Sequence, residues 1–168
     1  MKTYSTNHLL EILLTLSRAK VKFIVCGGVA AVLHGVERMT ADIDIAIDFG
    51  TPNVKKFLTA VKHLGLVPRA PLPPETLIDK VSRKKMVEVK GALVFTFLDP
   101  DNPFRQIDVF LSEKSSYHIL LPKSEVIKIG RCKIRVVSKR QLIGMKKKVT
   151  PSRDKDRLDI IELEKLLF

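Results

Sequence analysis

The chain has 168 residues, 45% of them hydrophobic, and a formal net charge of +12. That is enough for one domain with a real core and too little for two. No apolar run approaches the ~20 residues that span a bilayer as a helix, and two isolated cysteines exclude a disulfide framework or a cysteine-rich metal cluster, pointing to a reducing cytoplasm. From the N-terminus, Thr3 to Lys20 predicts an amphipathic helix, because Leu9, Leu10, Leu13, Leu14 and Leu16 recur among polar residues. That layout is unlike a charged-then-apolar signal segment.

Val21 to Cys26 is an apolar, β-branched run of strand character. Gly27-Gly28 then gives a tight turn with no side chain to keep an anion from the backbone N–H groups. Val29 to Gly35 predicts a short helix aiming its N-terminal dipole at that anion. Thr40 to Asp48 alternates, with Asp42, Asp44 and Asp48 on one face and Ile43, Ile45 and Ile47 on the other. Two carboxylates at i and i+2 of one strand repel each other when ionised, and a divalent cation between them removes that penalty.

Thr51-Pro52 opens a further helix carrying Val54, Phe57, Leu58, Val61 and Leu64. The prolines from Pro68 to Pro74 break the pattern, and Glu75 to Val81 predicts one or two helical turns. Residues 85–90 and 92–98 predict paired strands around Gly91, and 104–111 a strand with Asp108 inside it. Residues 125–129 and 131–137 predict a hairpin around Gly130. Ser138 is a helix N-cap, and the run from Pro151 opens a last helix. The four histidines have no ligand spacing.

The stretch from Gly27 to Asp44, strand–turn–helix–strand with Asp-x-Asp, resembles the DNA polymerase β-like nucleotidyltransferase superfamily, and within it the small branch of AbiEii-type toxins, minimal nucleotidyltransferases and some antibiotic-modifying enzymes. A lone Gly-Gly or a lone Asp-x-Asp is weak evidence; both at this spacing are specific. The resemblance implies an α+β fold, a mixed β-sheet flanked by helices, over residues 1–168 as a single domain, with an N-terminal helix (1–20) and a C-terminal helical pair (138–168). It also implies a third carboxylate on a later strand. Asp108 meets that need, since an acid inside an apolar run is costly to bury unless paired or metal-bound, whereas Asp99 and Asp101 sit in turn chemistry. Near the C-terminus, Leu142-Ile143, Lys146 and then Arg153-x-Lys155-Asp156-x-x-Asp159-Ile160 match similar enzymes, in which the Lys lies near the nucleotide phosphates.

The implied activity is Mg²⁺-dependent transfer of a nucleotide from a nucleoside triphosphate to an acceptor hydroxyl, with release of pyrophosphate. Asp42, Asp44 and Asp108 would hold two Mg²⁺ ions, with Asp108 also helping to take the acceptor proton. Gly27 and Gly28 would hold phosphates, and Lys146 or Arg38 would balance the departing pyrophosphate. Arg38 has the alternative of pairing with Glu37 or Asp48. Arg153 and Asp156 are expected to tie the two C-terminal helices together.

From Lys123 to Arg157 there are thirteen Lys and Arg against three acids, a local excess of +10. A triphosphate needs few cations, so the surplus points either to a polyanionic acceptor such as a tRNA-sized RNA or to a solvated basic surface. Three readings follow: a transferase acting on RNA or a partner protein, as in a toxin–antitoxin pair; an antibiotic-modifying transferase; and a non-catalytic RNA-binding module on the same fold.

Overall fold

The computed structural model describes residues 8–168. Helix α1 (His8–Arg18) buries Ile12, Leu13 and Leu16 on the stripe expected from the leucine spacing; residues 3–7 of the expected helix lie outside the described part. Then follow β1 (Phe23–Cys26), α2 (Gly27–Leu33), β2 (Asp42–Ile47) and α3 (Thr51–His63). The second half comprises β3 (Val67–Pro68), α4 (Lys80–Glu88), β4 (Val94–Asp99), β5 (Asn102–Phe110), α5 (Tyr117–Leu120), β6 (Glu125–Ile129), β7 (Cys132–Val136), α6 (Lys139–Lys147) and α7 (Asp154–Lys165).

The seven strands make one mixed sheet in the order β3-β4-β5-β2-β1-β7-β6. Its centre is set by β2, antiparallel to β1 and parallel to β5. Period-two alternation divides the two faces. Ile43, Ile45, Ile107 and Val109 are fully buried on one face, together with Phe57 of α3 and Phe97 of β4, whose rings meet edge to face at 5.6 Å. The opposite face carries Asp42, Asp44 and Asp108, with α2 packed against β2, α6 against α2 and α7 against α6.

One expected element is overturned. Residues 85–88 belong to helix α4, and β4 pairs with β3 and β5 instead. The alternation of Met86, Glu88 and Lys90 with Val87 and Val89 suggested a strand. The helix wins through its start, where Asp79 caps the N–H groups of Val81 and Ser82. The glycine pair also differs: Gly27 and Gly28 form the first residues of α2 rather than a turn before it. The other expected strands and helices form within a few residues of their expected bounds, including the capping box of Ser138 and Gln141 at the head of α6.

Candidate active site

Three carboxylates converge at the centre of the sheet. Asp44 and Asp108 stand directly opposite each other on the parallel strands β2 and β5, and Asp42 lies two residues before Asp44 on the same face. One carboxylate oxygen from each falls within 4.8 Å of the other two. Asp108 is oriented by its neighbours: Thr96, opposite it on β4, donates its hydroxyl to Oδ1 at 2.6 Å, and Gln106 approaches Oδ2 at 3.5 Å.

Burial pushes the Asp44 carboxyl from 3.8 up to about 7, with the charges of Asp42 and Asp108 adding to the shift and those of Lys146 and Lys155 opposing it. Asp108 is likewise raised, by burial first and then Asp42, against the Thr96 hydrogen bond and the charge of Arg69. The donor set is all carboxylate oxygen, with no basic side chain in an ion pair with any of the three among the described residues. Hard oxygen donors at this spacing fit Mg²⁺ or Mn²⁺.

The turn from β1 into α2 is built against these acids. Gly27 has φ +63, and a Cβ there would stand 2.8 Å from the Asp44 Cγ and closer still to its Oδ2. A Cβ on Gly28 would stand 2.8 Å from Thr40 Oγ1 and 3.3 Å from the Arg38 guanidinium carbon. Gly27 is therefore favoured both by close approach and by its backbone, while a side chain at Gly28 would have to displace the Thr40 hydroxyl and the Arg38 guanidinium. Cys26, opposite Asp44, is fully buried, and burial raises its thiol pKa further beyond physiological pH.

No protein-family model and no curated protein matches this chain. Solved structures do. The lincosamide antibiotic adenylyltransferase LnuA, lincomycin-bound, superposes with a TM-score of 0.64 at 16% identity, over 96% of this chain and 98% of that one. The antibiotic-resistance factor ANT(2'')-Ia gives 0.62 at 15% identity, over 100% and 86%. An antigenic nucleotidyltransferase-like protein from Paracoccidioides brasiliensis gives 0.56 at 14%, over 96% and 78%. The fold is that of the nucleotidyltransferases.

On this nucleotidyltransferase fold the two expected phosphate cations are engaged internally. Lys146 is buried, with Nζ 2.9 Å from Asp156 and 2.8 Å from Asp159, both on α7. Arg38 pairs with neither Glu37 nor Asp48; its guanidinium meets Asp159 beside Gly28, and one fifth of its side chain stays exposed. Asp48 lies past the end of β2, where it accepts from the Gly50 N–H and faces Lys22 and His118. The expected tie between the C-terminal helices is present: Asp156 joins Arg153 at 2.5 Å to Lys146 across the helix pair.

The sequence reading passes over Thr96 and Gln106, and it names Lys155 and Asp159 within the C-terminal motif without giving either a role. Gln106 was open to detection as the residue two before Asp108, hence on its face. Thr96 follows from folding β4 onto β5 about the turn at Pro100. Asp159 gives no local signal of its partners, which lie on α6 and before β2.

Proposed function

We propose that this protein is a divalent-cation-dependent nucleotidyltransferase. The observation that carries the reading is the convergence of Asp42, Asp44 and Asp108 on the face where Gly27 and Gly28 open α2. Two Mg²⁺ ions, when bound, supply charge neutralisation and polarisation at the phosphorus undergoing attack. Asp42 and Asp44 on one strand and Asp108 on the next would hold them. The new bond joins the acceptor oxygen to the α-phosphorus as the bond to pyrophosphate breaks. Asp108, oriented by the Thr96 hydroxyl, is placed to take the hydroxyl proton. The α2 backbone N–H groups and the exposed edge of Arg38 receive the triphosphate tail. Lys146 acts on the site through its charge, held in place by Asp156 and Asp159, and the exposed Lys155 adds to that field.

The donor is a nucleoside triphosphate such as ATP. For the acceptor, the excess of cations favours RNA, in the manner of the toxin–antitoxin enzymes of the small branch, working in the cytoplasm. A second reading, antibiotic modification, draws support from the likeness to LnuA and ANT(2'')-Ia. A non-catalytic RNA-binding module gains nothing from three mutually repelling acids, so that reading is set aside. Incubation with each α-labelled triphosphate, Mg²⁺ and total RNA or lysate tests the proposal. Label should enter one fraction with the native protein and none with Asp44→Asn. Label incorporated equally by both proteins would overturn it.

A further inference from the structure

Beyond the acids, the same sheet face stays open. Over β1 and β2 it is covered by α2, but over β3, β4 and β5 the side chains on the acid face are all partly or fully exposed, while Phe95, Phe97, Ile107 and Val109 on the reverse are buried. Pairing register places Val67, Leu98 and Gln106 in one row across the three strands, with Thr96 and Asp108 in the next. Phe104, two residues before Gln106, lies on this face with 73% of its surface exposed. Arg69, at the end of β3, is tied down twice: its N–H bonds the Thr96 carbonyl at 2.9 Å, and its guanidinium bonds Gln106 Oε1 at 2.7 Å.

A continuous polar chain thus runs from Arg69 through Gln106 to Asp108. It is flanked by three apolar side chains, Val67, Leu98 and Phe104. Three strands at their usual spacing and the rise from residue 104 to 108 give a platform of roughly 10 by 13 Å. That is room for the reacting end of an acceptor, not for a whole domain. Among the described residues, the charged side chain that β3–β5 place beside the acids is a cation, Arg69. An apolar floor with a few fixed polar groups is what small-ligand sites present.

Given the nucleotidyl-transfer reading, on which this rests, we infer that the β3–β5 platform is the acceptor subsite. It takes a hydroxyl compound whose reacting end carries a flat ring and is neutral or anionic. Phe104 stacks the ring, Arg69 receives the anionic group, and Gln106 links that recognition to Asp108. A polycation is rejected, because Arg69 repels it and, among the described residues of β3–β5, no carboxylate besides Asp108 shares this face.

The test is direct binding, with the donor site filled by α,β-methylene-ATP and Mg²⁺, whose own binding is measured first. The probes are adenosine, adenosine 5′-monophosphate, a single-stranded pentaribonucleotide with a free 3′-hydroxyl, and tobramycin. Adenosine and its monophosphate should bind, the second more tightly, and tobramycin at least tenfold more weakly than either. Phe104→Ser should weaken both about tenfold. Arg69→Glu should weaken the monophosphate at least tenfold and adenosine far less. Tighter binding of the pentaribonucleotide would mark an RNA end as the source of this chemistry; tighter binding of the mononucleotide would mark a free small molecule. Tobramycin binding as tightly as the monophosphate, no probe binding at all, or indifference to both substitutions would overturn the subsite while leaving nucleotidyl transfer intact. Failure of α,β-methylene-ATP and Mg²⁺ to bind would instead remove the reading beneath it.

Discussion

Asp44 has its like-charged neighbours at one side and Gly27 at the other, and both relations have measurable consequences. Its carboxyl, raised from 3.8 to about 7 by burial and by Asp42 and Asp108, binds a proton more tightly in the folded protein than in the unfolded chain. The stability that the proton confers is whole below about pH 4 and is lost as pH rises through 7. Metal-free protein should therefore melt lower at pH 8 than at pH 5, with on the order of 2 kcal/mol from this group. Asp44→Asn should flatten that slope without unfolding the protein, and should abolish transfer; Mg²⁺ should restore the native protein at pH 8 but not the variant. Thermal melts across pH, with and without Mg²⁺, check all of this. Gly27→Ala forces a side chain onto Asp44 at φ +63 and should cost about 2–4 kcal/mol together with Mn²⁺ binding. Gly65→Ala, at φ +71 with nothing within 4 Å of its Cβ, should cost only about 1 kcal/mol. Parallel melts and Mn²⁺ titrations of the two variants separate crowding from backbone strain.

Helices α6 and α7 are fastened by charge as much as by apolar packing. Lys146, Asp156 and Asp159 are all nearly buried, and Arg38 brings the segment before β2 into the same cluster. Asp156→Ala leaves Lys146 short of a partner and should destabilise by about 3–5 kcal/mol. Lys147→Ala, which breaks an exposed pair with Glu164, should change stability by less than about 1 kcal/mol. Denaturant titration of both variants decides the matter. Such clusters explain which elements can be read from sequence and which cannot. The acids of β2, the helix of α3 and the cap of α6 follow from local spacing and side-chain chemistry, and all three are where the pattern puts them. The partners of Arg38 and Lys146 follow from a helix docking that no local pattern encodes. Helix α4 is decided by its start, where Asp79 caps the first N–H groups, against the strand expected over residues 85–90.

Across the molecule the basic excess is less available than its count suggests. Of the cations between Lys123 and Arg157, Lys146, Lys147, Arg153 and Arg157 are in ion pairs, Lys139 bonds the Leu166 carbonyl, and Arg135 bonds Ser124. Lys128 and Lys133 stand directly opposite each other on the β6–β7 hairpin, a like-charged pair that an anion would relieve. RNA binding should therefore weaken on charge reversal of these two, with a shallower salt dependence and unchanged triphosphate binding; filter binding at several salt concentrations measures both. Salt-insensitive binding, unmoved by the reversals, would leave the hairpin as plain solvated surface. The pairing of Asp44 with Asp108 carries a last consequence, for assembly. The two sit on parallel neighbours joined by a long excursion, and a slip of one residue would turn Asp108 to the face of Ile107 and Val109. Metal capture would thus report strand alignment: during refolding, Mn²⁺ should be bound only by molecules whose central strands have found their register, and its stoichiometry should count them.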